Sequence, residues 1–484
     1  MSTIEKGAMP DTESIGKIDG LHWFTTGLFI VADMAGGGVV AMPIAMLMSG
    51  GFAGSIIIGI LCIAFAYTAH LLGENWVVMC RNWPEYRQHC RKPYPEMAFR
   101  GLGDKARTAT SCTINIMLFG VSIVYLLLSS KIISDLISST FNHNVGFCVT
   151  MVFVAAAMWP VTLLKSPQDF WWAIVLAMMT TGCAVFLILI GTISDYEYCA
   201  AGAQPKDFDF RNVILSLGTY MFSFGGHVVF PTIQHDMKQP KHFTRSVILA
   251  FCIVCAFYIP ITALGYLTYG DSLHDSIINS LQVGWIQQFA NLFIAVHCIL
   301  TLTIIMNPLN QELEDLFGIP HHFGIKRVAV RTGLMIAVLF MAATVPSFGP
   351  ILNLIGGSTV ALTSAIMPCL FNLYLKALDT REKDIAGEAK VSTIPSVSEM
   401  IERTPKKRLA VNIFVIVIAI VCGLATTYSA LLDMLSTSFA APCYLSSLNT
   451  EAIAELRESP VHCCGHYMNI SRHADLVCHP IEVN

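Results

Sequence analysis

The chain has 484 residues, of which 54% are hydrophobic and only 13% are charged. Soluble proteins carry about 25% charged residues, so this composition excludes an ordinary soluble domain and indicates an integral membrane protein. The net charge of −4 offers no basic field for nucleic acid, which we exclude as a partner.

Apolar stretches recur along the whole chain. A helix needs about 20 apolar residues to cross a bilayer, because lipid offers the backbone no hydrogen-bond partner. Eleven stretches qualify. They run over 22–48, 52–79, 110–138, 145–164, 170–193, 211–235, 244–268, 284–308, 328–346, 348–377 and 409–433. We expect one transmembrane domain over 21–433, between a cytoplasmic tail of 1–20 and a Cys-rich tail of 434–484.

The positive residues give the orientation of these spans, since Lys and Arg near span ends stay on the cytoplasmic side. With eleven spans and the N-terminus inside, 24 of the 29 Lys and Arg residues fall in inner segments. This distribution predicts a cytoplasmic N-terminus and a C-terminal tail that is extracellular or luminal. The plasma membrane and a vesicular or lysosomal membrane both stay open, because the chain carries no clear address signal.

The C-terminal tail has features typical of an oxidising compartment. It contains an Asn-x-Ser sequon at Asn469, which is glycosylated only on the luminal side. Together with Cys199 in an outer loop, its four cysteines allow two disulfides and one remaining thiol. The tail cysteines are Cys443, Cys463, Cys464 and Cys478. Their pairing is left open, and the alternative is that the thiols are free and the sequon is unused.

Glycines interrupt two of the predicted spans. Three glycines occupy 36–38 in the first span, two occupy 225–226 in the sixth, and a proline follows each group by five residues. A glycine within a helix costs about 1 kcal/mol relative to alanine, so we expect both helices to unwind. The alternative role of such glycines is close helix packing. Breaks at matching places in two halves favour an inverted-repeat transporter with its site at the midplane.

Paired breaks suit an amino acid as the transported solute. Freed N–H groups at the start of a half-helix bind a carboxylate, because the helix dipole is positive there. Freed carbonyls at the end of the preceding half-helix hold an ammonium group or a metal cation. The predicted substrate-binding residues at the two breaks are Asp33, Ala35, Gly36, Gly37, Gly38, Phe222, Phe224, Gly225 and Gly226.

Three residues within the spans are candidates for ion coupling. Asp33 lies beside the first break, where it would carry a proton or meet an ammonium group, or else cap a half-helix. His227 follows the second break and titrates near neutral pH, although a lone histidine is often a structural hydrogen-bonding partner. Thr301 offers a hydroxyl to a sodium ion, and Thr303, about 200° further around the helix, cannot face the same site. His297 ranks lower.

Several segments, in this order and spacing, carry a resemblance to a known family. They are 36–43 with 50–51, 222–227 with 231, 237–240 with 243, and 265–270. On these segments the chain resembles the amino acid/auxin permease family, which includes vesicular inhibitory amino acid transporters, proton-coupled amino acid transporters and plant amino acid permeases. The resemblance covers roughly 20–433. Where many relatives carry an amide before the first break, this chain has Asp33, Met34 and Ala35.

The resemblance implies an all-α polytopic fold of eleven helices. Ten of them form a five-plus-five inverted repeat with broken helices 1 and 6, and the substrate lies between spans 1, 3, 6, 8 and 10. We therefore predict a secondary active transporter of amino acids or related small amino-containing solutes. It would work by alternating access coupled to H⁺, with Na⁺ as the alternative ion.

Two other functions share some of these features. An amino acid sensor descended from a transporter would have the same sequence, whereas an ion channel would need rings of polar residues along a pore. The chain has no P-loop, HExxH, GxSxG or paired CxxC motif, so neither an enzyme, nor a metal site, nor a cofactor is predicted. The predicted partners are the solute and the lipid bilayer.

Overall fold

The structure is a computed structural model that describes residues 16–17, 19–88, 90–141, 145–163, 171–203, 205, 208–320, 324–384, 394–436 and 442–446. Within these ranges the chain is helical and forms no β-strand beyond an isolated bridge between Leu21 and Met237. The helices are α1 (Trp23–Met34), α2 (Gly37–Ser49), α3 (Gly51–Asn82), α4 (Pro93–Leu102), α5 (Asp104–Phe141), α6 (Phe147–Thr162), α7 (Trp171–Cys199), α8 (Phe210–Ser223), α9 (Phe230–His235), α10 (Phe243–Tyr269), α11 (Gly284–Leu316), α12 (Ile325–Thr344), α13 (Phe348–Ile355), α14 (Met367–Asp384), α15 (Val397–Arg403), α16 (Lys406–Ser436) and α17 (Cys443–Ser446). A π-helix over Gly356–Ile366 joins α13 to α14.

Each of the eleven predicted spans contains helix. Among the described residues, eight helical segments are long and apolar enough to cross a membrane, and the bent pair of α1 and α2 gives a ninth. The predicted fourth span holds the 16-residue apolar helix α6. The predicted sixth span holds two short helices, α8 and α9. The all-helical membrane fold is therefore confirmed, while the count of eleven spans stays a prediction.

Both predicted helix breaks are present. The axes of α1 and α2 meet at 58°, because Ala35 and Gly36 leave the helical conformation with ψ values of 78° and −123°. In the sixth span, α8 ends at Ser223 and α9 begins only at Phe230. Gly226 lies between them with φ at +134°, a left-handed conformation that a side chain disfavours. Glycine thus permits both changes of chain direction within the membrane.

Glycine also allows the π-helix to approach α8. A Cβ atom on Gly218 would lie 2.5 Å from the carbonyl oxygen of Asn353, and one on Gly356 would overlap the carbonyl oxygen of Gly218. The hydroxyl of Thr219 donates to Asn353 Oδ1 over 2.6 Å beside this contact. Packing at backbone distance, supported by an interhelical hydrogen bond, is how helices associate where lipid supplies no hydrophobic drive.

Buried carboxylates fix the ends of the bundle. On one face, Glu314 of α11 accepts hydrogen bonds from Arg327 (2.9 Å) and Arg331 (2.5 Å) of α12, and all three side chains are buried. On the other, Asp195 of α7 accepts from the Tyr269 hydroxyl (2.6 Å) and the Gln282 amide (2.8 Å). A buried charge is tolerated only when it is paired in this way.

A polar cluster joins α3, α14 and α16. Glu74 Oε2 accepts a hydrogen bond of 2.6 Å from Arg408 Nη1, and Asn372 Nδ2 donates to Asn75 Oδ1 over 2.9 Å. The hydroxyl of Tyr67 donates to Asn412 over 2.7 Å. The cluster ties the last long helix to the second span.

A disulfide links Cys148, at the start of α6, to Cys443 in α17. From the sequence, we expect Cys443 to pair with another tail cysteine or with Cys199. The sequence does not indicate Cys148, because the proximity of Cys148 to Cys443 depends on how α6 packs. Cys463, Cys464, Cys478 and Asn469 lie outside the described residues.

Replacing Gly356 by alanine should destabilise the protein, because the added Cβ meets the backbone of Gly218, which cannot move like a flexible side chain. Overpacking of this kind costs about 1–3 kcal/mol. Gly333→Ala in α12 is the matched control, since nothing lies within 4 Å of its Cβ position. Thermal unfolding of the purified proteins should show a lower transition temperature for Gly356→Ala only. Equal transition temperatures would contradict the packing role.

Candidate functional site

The two helix breaks lie against each other. A Cβ atom on Gly38 would lie 2.5 Å from Ser223 Oγ and 2.8 Å from Ser223 Cα. One on Gly226 would overlap Asp33 Oδ2 and lie 3.4 Å from Met34 Cγ. Each break therefore has a glycine, and the absence of a side chain there lets the other break approach closely. The sequence predicted that the two breaks form one site at the midplane, and in the structure they are in contact.

Asp33 lies within this contact. It is the penultimate residue of α1, and its Oδ2 atom is buried and has no hydrogen-bond partner in the part of the chain that the structure describes. A carboxylate that is buried without a donor is costly to keep charged. The position therefore calls for a proton on the carboxyl group or for a cation beside it.

Side chains from α5 and α11 close around the first break. A Cβ atom on Gly36 would lie 2.5 Å from the Tyr125 hydroxyl oxygen and 2.6 Å from His297 Nε2, and one on Gly37 would lie 3.2 Å from Leu128 Cδ2. These side chains pack against the backbone where α1 ends and α2 begins. Glycine at 36 and 37 lets them approach this closely.

His297 presents a nitrogen lone pair to the first break. Its Nδ1 lies 2.7 Å from Thr181 Oγ1 and 3.2 Å from the Ala177 carbonyl oxygen. Since Thr181 already donates its own proton to Ala177, Nδ1 carries the hydrogen of the imidazole. Nε2 is then an acceptor, and it lies 3.2 Å from the hydroxyl of Thr301. The sequence ranked His297 low, because its contact with Gly36 arises only from packing.

Thr301, predicted as an ion ligand, therefore contacts His297. Thr303 bonds back to the carbonyl of Ile299 in its own helix over 3.0 Å. The two hydroxyls thus point to different places, as the helical spacing predicted. Within the described chain, no group of three or more His, Cys, Asp or Glu residues is placed to hold a metal ion.

His227 faces α3 rather than α5 and α11. Its Nε2 lies 3.1 Å from the Phe65 carbonyl oxygen and 3.0 Å from Thr68 Oγ1. The carbonyl can only accept, so Nε2 carries the hydrogen. Nδ1 is buried and has no hydrogen-bond partner among the described residues. His227 thus lies within the second break, with Nε2 in structural hydrogen bonds and Nδ1 an acceptor that no described residue satisfies.

The predicted substrate-binding aromatic residues differ in their surroundings. Phe224 is fully buried, with its ring stacked on Phe251 at 6.3 Å and tilted against Tyr258 at 5.6 Å. Its contacts are those of a packing residue between α8 and α10. Phe222 is only half-buried. The second break also meets the π-helix, where a Cβ atom on Gly225 would lie 3.0 Å from Val360 Cγ1.

A tyrosine that the sequence did not single out contacts both breaks. The Tyr258 hydroxyl lies 2.8 Å from the carbonyl oxygen of Met34 and 3.0 Å from that of Ser223. No local motif marks this residue within its apolar helix. The spans that meet here are the first, third, sixth, seventh, eighth and tenth of the predicted series.

Comparison with known proteins places this chain in a family. Residues 19–388 match a family model described as transmembrane amino acid transporter protein. The chain is 25% identical to the amino acid transporter ANT1 of Arabidopsis thaliana over 374 residues, covering 72% of this chain and 83% of ANT1. It is 28% identical to the Arabidopsis thaliana amino acid transporter AVT1H over 365 residues, covering 72% and 80% of the two chains.

A solved structure shows the same fold. The crystal structure of MhsT in complex with L-phenylalanine matches 86% of this chain and 100% of MhsT, with a TM-score of 0.51 and 11% sequence identity. At this identity the match concerns the fold alone. The family is one of transporters rather than of enzymes. The chain belongs to the transmembrane amino acid transporter family, and the resemblance to the amino acid/auxin permeases is confirmed.

Proposed function

We propose that this protein is a secondary active transporter that carries an amino acid, or a related small amino-containing solute, by alternating access in symport with H⁺. The observation that carries the proposal is the buried Oδ2 of Asp33, which has no hydrogen-bond partner in the described chain and lies where the two helix breaks meet. Membership of an amino acid transporter family supports the substrate class.

The breaks offer opposite partners to the two charged groups of an amino acid. Helix α2 begins at Gly37, and the N–H groups of its first turn have no acceptor within the helix. This positive end of a 13-residue helix suits the carboxylate. Helices α1 and α8 end at Met34 and Ser223, where the negative ends of their dipoles suit the ammonium group. The carboxyl group of Asp33 lies on the ammonium side, where in its protonated form its carbonyl oxygen can still accept a hydrogen bond from the ammonium group.

Asp33 also supplies a reason for coupling. Closing the site around a charged carboxylate without a partner would be costly, and a proton on Asp33 removes that cost. A carrier that crosses between its two open states only with Asp33 neutralised moves a proton together with its substrate. His227 Nδ1 is a second acceptor beside the break, suited to passing this proton on.

We place the N-terminus in the cytoplasm and the C-terminal tail outside the cell or in a lumen. The positive residues support this orientation, with 24 of 29 on the predicted inner side. The disulfide supports it as well, because Cys148 and Cys443 both fall on the predicted outer side, where thiols are oxidised.

Purified protein in liposomes should take up radiolabelled amino acids saturably, and faster when the outer solution is made acidic relative to the interior. The inward proton gradient then drives the carrier in the symport direction. A panel of neutral, basic and acidic amino acids identifies the substrate. Binding without uptake would indicate a sensor, and an ohmic current without saturation would indicate a channel.

Replacing Asp33 by Asn should remove the response to the pH gradient, because an amide of the same size cannot take up or release a proton. Uptake with and without the gradient should become equal, while wild-type uptake rises in acid. Asp104→Asn, at the exposed start of α5, is the matched control and should keep the wild-type response. A gradient response that survives in Asp33→Asn would refute the coupling role.

Glycan mapping should show Asn469 modified after expression in a eukaryotic host, since the predicted orientation exposes the tail to the luminal glycosylation machinery. Deglycosylation should shift the electrophoretic mobility of the wild type but not of Asn469→Gln. In the same membranes, a thiol reagent should label Cys443 only after reduction of its bond to Cys148. Labelling of Cys443 from the cytoplasmic side would overturn the topology.

A further inference from the structure

Tyr258 is the one described residue whose side chain is hydrogen-bonded to the backbone of both helix breaks. It belongs to α10 and is fully buried. Its hydroxyl lies 2.8 Å from the carbonyl oxygen of Met34, the last residue of α1, and 3.0 Å from that of Ser223, the last residue of α8. Two helix C-termini therefore converge on a single oxygen.

This convergence creates a place that favours positive charge. The last carbonyls of a helix have no intrahelical donor, and the dipole of each half-helix is negative at this end. Carbonyl oxygens of unwound transporter helices are ligands that suit a sodium ion or an ammonium group. Here the position between the two carbonyls is filled by a neutral hydroxyl, which offers one hydrogen to two acceptors.

We propose that Tyr258 is a positioning residue of the transport site, whose hydroxyl takes the place of a metal cation between the ends of α1 and α8. The inference rests on the proposed function and deepens it. Because one hydrogen serves two carbonyls, the bond can pass from Met34 to Ser223 as the half-helices move. The hydroxyl thereby holds both breaks in register without a bound metal.

The ring of Tyr258 is itself held at the second break. It packs against Phe224 with 5.6 Å between ring centroids, so the hydroxyl has little freedom to leave the two carbonyls. The neighbouring carboxyl group, Asp33, then stays available for a proton or for the substrate ammonium. Na⁺ is not needed at this position.

The first arm of the test compares Tyr258→Phe with Tyr266→Phe in proteoliposome uptake. Both changes remove only a hydroxyl from α10, and Tyr266 is half-buried with its ring beside Gly51, away from the breaks.

Tyr258→Phe leaves the Ser223 carbonyl without a donor among the described residues and the Met34 carbonyl with only the amide of Gly36, over 3.0 Å. This loss should lower Vmax/KM about tenfold. Tyr266→Phe should match the wild type. Wild-type uptake by Tyr258→Phe would overturn the proposal.

The second arm needs no transport, so it separates this inference from the proposed function. Tyr258→Ser vacates the position between the carbonyls, and Na⁺ should enter it. Thermal unfolding of the purified proteins is compared in sodium chloride and in choline chloride. Na⁺ should raise the transition temperature of Tyr258→Ser but not that of the wild type. An equal response of the two proteins, including no response in either, would overturn the proposal even if Tyr258→Phe is inactive.

If the wild type carries no amino acid but Na⁺ stabilises Tyr258→Ser selectively, the proposed function fails and the role of Tyr258 stands. If the wild type transports and the second arm shows no difference, the proposed function stands and Tyr258 makes only a structural hydrogen bond.

Discussion

The contact between two unwound backbones at the centre of the bundle is the constraint on which the rest of the structure depends. Gly38 admits Ser223, and Gly226 admits Asp33, at distances that no side chain on either glycine would allow. A membrane interior tolerates irregular backbone only where protein groups replace the missing partners. Tyr258 does this for the last carbonyls of α1 and α8, to which its hydroxyl is hydrogen-bonded.

The periphery of the molecule is built to hold this centre in place. The ion pairs of Glu314 join α11 to α12, and the hydrogen bonds of Asp195 join α7 to the end of α10 and to Gln282. The polar cluster around Glu74 ties α16 to the second span. Charged groups are costly within a bilayer unless they are paired, and Glu314, Asp195 and Glu74 all form connections between helices. Asp33 differs from them, because no connection of this kind reaches its Oδ2 atom from the described residues.

The chemistry of the centre follows from which groups remain unpaired. Among the described residues, the Asp33 carboxyl oxygen Oδ2 has no donor and His227 Nδ1 has no partner, and both favour positive charge beside them. In the proposed function that charge is a proton or an ammonium group. The hydroxyl of Tyr258 lies between the carbonyl oxygens at the ends of α1 and α8, where we propose that it takes the place of a metal ion.

The sequence by itself determined the membrane environment, the helical fold, the two breaks and the family. These features follow from local composition: apolar length forces helices in lipid, and adjacent glycines weaken them wherever they occur. Asp33 was also identifiable, because an acid within an apolar span stands out without any knowledge of packing.

Only the tertiary structure decided what surrounds that acid. Tyr258 lies more than 200 residues from Met34, and His297 lies more than 250 residues from Gly36, so no spacing rule links them. His227 follows the break in sequence, but the turn at Gly226 points its ring towards α3. The pairing of Cys148 with Cys443 likewise depended on the packing of α6. Side-chain direction and long-range contact are set by how helices cross, and no single stretch of sequence contains that information.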